Sequence, residues 1–445
     1  MHFPAKLYTA LPLLLAITGP VAAQTSGPLH DEIASRATAL ESKTVAWRRD
    51  FHQHPELGNV EKHTAEVIAA HLRALGLEVR TGVARTGIVA ILRGALPGRT
   101  VALRSDMDAL PVKETSALPF ASQEKGRYLG KEVDVMHACG HDAHMAMLMA
   151  TAELLSGLKD KLHGTVVFYF QPAEEGPSDF QPDGKNSWGA KLMVHEGAMR
   201  NPRPDAVFGL HVWGGVPAGR IAYRPGPTMA SSDDLRIRII GKQTHAGAPW
   251  QGIDPITVSA HAIMGLQTVV SRQTNISATP TVVSIGTING GTRYNIIPES
   301  VDMAGTIRSY DFDVRRGVHA KVRTMLEKTA EASGARAEVT IIEKYDPTIN
   351  NEALTEQMLP TLNWAAAGDV VKMPLVGGAE DFSFFAKEVP GLFFFLGATP
   401  KNQDMSKAPA NHNPAFDVDE STLLTGVRAL SGLAVDFLND PAAKP

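Results

Sequence analysis

Four short segments of this 445-residue chain combine cysteine, histidine and acidic residues at spacings that suit metal binding. They are residues 137–144 (HACGHDAH), 171–176 (QPAEEG), 209–213 (GLHVW) and 411–414 (NHNP). Thiolate, imidazole and carboxylate groups are all good ligands of a borderline divalent ion. The four segments therefore predict a metal centre that is assembled from distant parts of the chain.

The first segment holds Cys139 and His141, which are separated by one glycine. On a helix two residues at this spacing would point apart, but on a loop around Gly140 both can face one ion. The chain has 16 histidines, and most of them must be structural or solvated. It is the combined Cys-Gly-His-Asp cluster, and not a histidine alone, that indicates a ligand site.

The second segment holds two adjacent carboxylates, Glu174 and Glu175. A solvated acidic turn would explain such a pair if it stood alone. Next to a metal centre the two can divide the work: one binds the ion, and the other serves as general base and acid toward water. Neighbours on an extended backbone point in different directions, which suits this division.

Short apolar runs bounded by glycine and proline alternate with helical patterns along the chain. The predicted strands are 88–92, 101–103, 166–170, 206–210 and 392–396, and the predicted helices lie within 29–75, 143–155 and 422–437. This alternation predicts an α/β fold with a mostly parallel sheet. Since ligands of open α/β sheets bind outside the carboxyl ends of the strands, the candidate segments can converge on one cleft.

Residues 222–345 follow a different order of elements. Their predicted strands are 235–240, 282–288, 301–307 and 339–342, with helices at 255–270 and around 318–326. The order βαββαβ is the ferredoxin-like split unit. We therefore expect an inserted domain between the two parts of a catalytic domain, residues 24–221 and 346–445.

The beginning of the chain has the pattern of a secretory signal peptide, residues 1–23. A lysine precedes a short apolar run at 7–17, and small residues at 21–23 offer a cleavage site. An uncleaved anchor or a buried helix is the alternative. The sequence thus predicts a secreted or periplasmic protein without stable membrane insertion. With a net charge of −4 and no basic block, a nucleic-acid partner is not expected.

Further segments complete a resemblance to a known family. They are 48–58 (RRDFHQHPELG), 104–111 (RSDMDALP), 244–249 (THAGAP), 295–299 (NIIPE) and 378–382 (GAEDF). With these motifs and the four metal-binding segments in their order along the sequence, the chain resembles the amidohydrolase branch of the co-catalytic metallopeptidases. This branch includes hippurate hydrolase, bacterial N-acyl-amino-acid amidohydrolases and plant auxin-conjugate hydrolases. The resemblance covers nearly the whole chain after the signal segment.

The resemblance implies a role for individual residues. The implied metal ligands are Cys139, His141, Glu175, His211 and His412, and the implied catalytic base is Glu174. The insert becomes a lid and dimerisation domain, through which the chain forms a homo-oligomer. From this insert His245, Asn295 and Arg308 would reach the substrate, His245 across a dimer. The centre would hold one or two divalent ions, zinc, manganese, cobalt or nickel, of which the softer ions suit a thiolate best.

The segment at 104–108 departs from the pattern of the wider peptidase family. There a His-x-Asp segment supplies a ligand, whereas this chain has Asp106 and Asp108 without a histidine. It stays open whether either aspartate binds metal or orients a ligand. Asp142, His144 and Glu380 are candidates for groups that orient the ligands, although ordinary capping or loop hydrogen bonds would explain them as well.

The implied reaction is metal-dependent hydrolysis of the amide bond in N-acyl-L-amino acids of the hippurate type, which releases a carboxylic acid and an amino acid. A metallo-dipeptidase or carboxypeptidase that acts on short peptides is the alternative. A thiol hydrolase with Cys139 as nucleophile and His141 as base would leave Glu174, Glu175 and His412 unexplained. A non-catalytic protein that binds metal or peptide would have no use for the second carboxylate.

Overall fold

The structure, a computed structural model, describes residues 29–440. The predicted signal segment, residues 1–23, lies outside the described residues. Within residues 29–440 no helix is long and apolar enough to cross a membrane.

The helices alternate with strands over most of the chain. The helices are α1 (His30–Gln53), α2 (Lys62–Ala74), α3 (His141–Ser156), α4 (Gly189–His195), α5 (Pro255–Gln273), α6 (Phe312–Ala332), α7 (Glu352–Ala365), α8 (Phe382–Glu388) and α9 (Thr422–Asn439). The strands are β1 (Glu78–Val83), β2 (Gly87–Arg93), β3 (Leu96–Asp106), β4 (Lys125–Tyr128), β5 (Lys131–Asp134), β6 (His163–Gln171), β7 (Ala206–Pro217), β8 (Ile221–Tyr223), β9 (Gly226–Met229), β10 (Ser232–Ile240), β11 (Thr244–His245), β12 (Thr281–Gly290), β13 (Ile296–Ile297), β14 (Ser300–Ser309), β15 (Arg336–Tyr345), β16 (Thr348–Asn350), β17 (Val370–Lys372) and β18 (Gly391–Thr399).

A central sheet of eight strands carries the larger part of the described chain, in the order β1-β2-β6-β3-β7-β18-β8-β17. Its middle strands β6, β3, β7 and β18 run parallel to one another. The edge strands β1 and β2 are antiparallel. The expectation of an α/β fold with a mostly parallel sheet is confirmed.

Both faces of this sheet are buried because helices cover each of them. Along β6, Phe168 and Phe170 face a core with α1, α3 and α9, whereas Val167 and Tyr169 face a second core with α4 and α8. Burying one such side chain contributes about 1.5–3 kcal/mol. This two-sided burial explains why the parallel strands appear in the sequence as continuous apolar runs.

The insert has its own core, as the βαββαβ order predicted. Its four strands form an antiparallel sheet in the order β12-β14-β10-β15, with α5 and α6 packed on one face. Along β10, Leu235 and Ile237 are buried, and Arg236 between them is exposed. The short strands β9 and β16 pair beside the insert, while β8 belongs to the central sheet. The division at residues 222 and 345 stays a prediction.

The helical pattern predicted for residues 29–75 is interrupted. The structure has α1 and α2 with a connection at 54–61 between them. Pro55 disfavours helix in the residue before it, and Asn59 has a φ of +73°. The connection runs beside the exit of β3, where the amide of Ala109 donates to the carbonyl of Glu56 at 2.8 Å.

Candidate metal centre and active site

The predicted ligands lie at one edge of the central sheet. β3, β6 and β7 run parallel, so their carboxyl ends meet there. Asp106 ends β3, Gln171 ends β6, and residues 174–175 follow soon after. His211 lies within β7, and His412 comes from the loop before α9. The fold thereby brings together side chains as far apart in sequence as 273 positions.

Gly140 allows Cys139 and His141 to approach the same point. Its φ of +90° lies in the left-handed region, and a Cβ atom at this position would be 2.2 Å from Cγ2 of Val212. Glycine alone tolerates both conditions. His141 opens α3 instead of lying on a loop as predicted, while Cys139 remains on the turn before the helix.

The five residues predicted as ligands form one connected cluster. Sγ of Cys139 lies 3.4 Å from Nε2 of His211 and 3.2 Å from Nε2 of His412. Nε2 of His412 in turn lies 2.9 Å from Oε1 of Glu175. The ligand atoms of Cys139, His141 and His211 lie within 4.8 Å of one another. Two ligands of one tetrahedral ion lie roughly 3.3–3.7 Å apart, so the cluster has the dimensions of a metal centre.

The hydrogen bonds of the imidazoles leave the nitrogens that face the cluster available. Nδ1 of His141 donates to the carbonyl of Asp108 at 2.8 Å, and Nδ1 of His211 donates to the carbonyl of Val212 at 2.7 Å. Each Nδ1 therefore carries a proton, and in the neutral ring Nε2 would offer its lone pair to a metal. Nε2 of His141 is buried and has no hydrogen-bond partner within residues 29–440. A divalent ion would satisfy this nitrogen, and the residues present fit such an ion.

Asp108 orients the acidic pair. Its Oδ1 accepts from the amide of Glu174 at 3.0 Å, and its Oδ2 accepts from the amide of Glu175 at 2.9 Å. With both oxygens engaged and its carbonyl bonded to His141, Asp108 fixes the positions of three other residues. The structure therefore favours the orienting role over the ligand role, two alternatives that the sequence left open.

Asp106 and His144 connect β3 to β7. Oδ1 of Asp106 accepts from Nδ1 of His144 at 2.6 Å, and Oδ2 accepts from Nη1 of Arg104 at 2.9 Å. Nε2 of His144 accepts from the amide of Val212 at 2.8 Å. Asp106 thus has a protein partner at each oxygen, and His144 holds the backbone beside His211.

Asp142 and Glu380, the remaining two candidates, have different surroundings. Asp142 accepts from Nε of Arg48 at 2.9 Å and from Nδ1 of His52 at 2.8 Å, which ties α3 to α1. Glu380 forms an ion pair with Nη2 of Arg104 at 2.8 Å and lines the cavity described next. Asp142 therefore holds the helix that carries His141, and Glu380 belongs to the wall of the site.

A cavity of about 410 Å³ opens over the cluster. The side chain of Glu174 lines it beside Cys139 and His412. Burial raises the pKa of Glu174 well above its usual range, and the carboxylates of Glu380 and Glu175 raise it further. A carboxylate in such surroundings holds a proton more tightly than a solvated one, which is the direction required of a group that takes a proton and later returns it.

The three residues predicted to reach the substrate are separated in the structure. Arg308 lines the cavity. His245 and Asn295 lie together elsewhere on the insert, where the amide of Ala246 donates to the carbonyl of Asn295 at 3.0 Å. Neither of these two lines the cavity of the single chain, so their contact with substrate stays a prediction.

The sequence did not single out several residues that organise the site. Arg104 contacts Asp106, Glu380 and Asp381 and is fully buried. The hydroxyl of Tyr345 donates to the carbonyl of Glu174 at 2.8 Å. The signal for Arg104 was a charged residue at the end of an apolar strand, whereas nothing around Tyr345 distinguished it.

The thiol of Cys139 does not have the surroundings of a nucleophile. Burial raises its pKa well above the usual value, and the carboxylates of Glu175 and Glu174 add to this effect. A reactive thiolate is stabilised by cationic neighbours, whereas the two carboxylates beside this thiol oppose its ionisation. The thiol-hydrolase alternative loses support.

Comparison with known proteins agrees with this geometry. A family model described as peptidase family M20/M25/M40 matches residues 102–436. Thermostable carboxypeptidase 2 of Saccharolobus solfataricus is 40% identical over 413 residues, 92% of this chain and 99% of that protein. The N-acetyl-L-cysteine deacetylase of Bacillus subtilis is 35% identical over 387 residues, 87% of this chain and 86% of that protein.

A solved structure extends the comparison to three dimensions. The YXEP protein of Bacillus subtilis, described as a dinuclear metal-binding peptidase from the M20 family, has a TM-score of 0.73 and 32% identity, with 90% of this chain and 99% of that chain covered. The resemblance to metal-dependent amidohydrolases is confirmed. The chain belongs to peptidase family M20/M25/M40 and is a metal-dependent hydrolase of amide bonds.

Proposed function

We propose that the chain hydrolyses the amide bond of N-acyl-L-amino acids of the hippurate type and releases a carboxylic acid and an amino acid. The observation that carries this proposal is the cavity in which Glu174, the cluster of ligand atoms and Arg308 meet. An acid–base group and a guanidinium in one small cavity match a substrate with an amide bond and a carboxylate. The volume is within the range of small-molecule sites.

The proposed centre holds one or two divalent ions, zinc, manganese, cobalt or nickel, with Cys139 favouring the softer ions. The proposed ligands are Cys139, His141, Glu175, His211 and His412. A divalent ion bound in such a centre would act as a Lewis acid. It would lower the pKa of bound water and polarise an amide carbonyl.

The side chains supply the proton transfers and the orientation. Glu174 takes the proton of the attacking water and delivers it to the leaving amine nitrogen. Arg308 holds the carboxylate of the substrate through a charge-assisted hydrogen bond, and Asn295, which does not line the cavity of the single chain, would assist it where a second copy brings it there. His245, from a second copy of the chain, would donate to the oxyanion that develops on the carbonyl.

Arg308 is suited to bind a carboxylate of the substrate because no carboxylate of the described protein neutralises its charge at close range. Its Nε donates to Oγ1 of Thr306 at 3.1 Å, and it forms no salt bridge within residues 29–440.

Arg308→Met is therefore expected to raise KM about 10–100-fold, with a smaller effect on kcat. Steady-state kinetics on hippurate measure this change. Arg238→Met, which removes an exposed guanidinium from the same sheet, should leave KM unaltered, and an equal effect of both variants would contradict the assignment.

The carboxypeptidase among the relatives favours a second candidate, hydrolysis of short peptides. A panel separates the two: hippurate, N-acetyl-methionine, N-acetyl-phenylalanine, indole-acetyl-alanine and two dipeptides, each measured by release of amino acid. We expect faster cleavage of the acyl-amino acids, loss of activity on chelation, and recovery when metal is returned. Faster cleavage of the dipeptides would favour the second candidate. No cleavage by metal-loaded protein would contradict both.

We also propose export and association through the insert. The charge, the apolar run and the small residues at 1–23 support a cleaved signal peptide and a periplasmic or secreted location. The exposed Trp250 and Tyr294, 77% and 93% accessible, lie on the insert, the first five residues after His245 and the second directly before Asn295, and they support a homo-oligomer formed through this domain.

A further inference from the structure

Two cationic side chains of the insert line the cavity, Arg308 of β14 and Lys344 of β15. These strands lie on the two sides of β10, whose Ser232 also lines the cavity. Because neighbouring strands are about 4.8 Å apart, the two backbones are separated by roughly 10 Å. The cavity therefore presents two positive charges from separate positions of its wall.

Lys344 has little charge compensation from the protein. Its side chain is only 24% exposed, and the nearest carboxylate oxygen, Oδ1 of Asp234, lies 3.9 Å from Nζ. That distance is too long for a hydrogen bond. Asp234 is also shared, since its other oxygen lies 3.5 Å from Arg236. Within the described part of the chain the ammonium of Lys344 has no hydrogen-bond acceptor.

The ammonium is not among the buried side-chain atoms without a partner, so solvent in the cavity reaches it, and a ligand that displaces this water must supply an acceptor in its place. Asp234 does not approach it to within hydrogen-bond distance. Lys344 instead lines the cavity that contains Glu174 and Arg308. Its position indicates an anionic group of the ligand as its partner.

We propose, on the basis of the function proposed above, that Lys344 binds a second carboxylate of the substrate. Preferred substrates then carry two negative charges, the α-carboxylate at Arg308 and a second carboxylate at Lys344. The second carboxylate belongs either to the amino-acid side chain or to the acyl group, and the ammonium recognises the same chemistry in both cases.

Two matched pairs of substrates test this proposal. N-acetyl-glutamate and N-acetyl-glutamine differ only in the charge of the side chain, and N-succinyl-methionine and N-butyryl-methionine differ in the charge of the acyl group. Wild-type enzyme should prefer the charged member of one pair about 10-fold in kcat/KM. Lys344→Met should abolish this preference through KM for the charged substrate, and Lys344→Arg should retain most of it.

Lys372→Met, which removes an exposed charge outside the cavity, is the matched control and should keep the preference. The proposal is overturned if wild-type enzyme prefers neither charged substrate, or if the preference survives in Lys344→Met. Cleavage of N-acetyl-methionine without any charge preference would refute this inference and leave the proposed function intact. If no compound is cleaved, calorimetric binding of both matched pairs to metal-loaded Glu174→Gln enzyme decides the preference independently of hydrolysis.

Discussion

Glu174→Gln is expected to lower kcat about 10²–10⁴-fold, the usual contribution of a general base. Glutamine has nearly the same shape but cannot accept the proton of the attacking water. The hydrogen bonds of the backbone at this position, from the amide to Asp108 and from Tyr345 to the carbonyl, remain possible in the variant. The fold and the metal content should therefore be unchanged. Steady-state kinetics on hippurate, with elemental analysis of the same sample, measure both.

The exposed Glu132 provides a control, since Glu132→Gln removes a carboxylate that does not line the cavity and should retain full activity. A Glu174→Gln enzyme with normal metal content and full activity would overturn the assignment of the base. A loss of activity accompanied by loss of metal would assign Glu174 to the ligands instead.

The second large effect is expected for stability. Arg104→Met should lower the free energy of unfolding by about 3–5 kcal/mol, because it leaves buried carboxylates without their cation. Arg104 contacts Asp106 at 2.9 Å, Glu380 at 2.8 Å and Asp381 at 3.1 Å, all of them buried. Those carboxylates in turn raise the pKa of the guanidinium although burial lowers it. Denaturant unfolding monitored by fluorescence measures the loss.

Arg127→Met, on the exposed hairpin of β4 and β5, is the control and should change stability by less than about 0.5 kcal/mol. Arg104→Lys keeps the charge and should lose less than Arg104→Met. A loss below about 1 kcal/mol for Arg104→Met would mean that the carboxylates become protonated or hydrated at little cost.

The local elements were predictable where several residues repeat one pattern. The apolar run 166–170 predicted β6, because burial on both faces of a sheet makes every residue of a strand apolar. The residues 143–155 likewise predicted α3. The three-residue strands β8 and β17 are too short to show a period. The position of β18 between β7 and β8 depends on pairing between segments far apart in the chain, which local patterns do not contain.

In the candidate site, too, some features were visible in the local sequence and others depended on contacts between distant residues. Residue type and spacing selected the four segments that meet around Cys139, since thiol, imidazole and carboxylate groups carry their chemistry in their identity, and the family resemblance implied the individual ligands. The roles of Asp108 and Arg104 depended instead on their partners. Asp108 orients two amides at 174–175, and Arg104 reaches Asp381, 277 positions away. Such roles become visible only when the chain is folded.

The distance in sequence between the predicted ligands has a consequence for how the ion is acquired. In the unfolded chain Cys139 and His141 are neighbours, but His412 is 273 residues from Cys139, so most of the centre does not exist. An ion would thus bind the native state much more tightly than the unfolded chain. At an ion concentration 100 times its Kd, this binding would raise the free energy of unfolding by about 2.7 kcal/mol. Loading follows folding. The metal supply of the compartment in which the chain folds then decides which ion the centre carries.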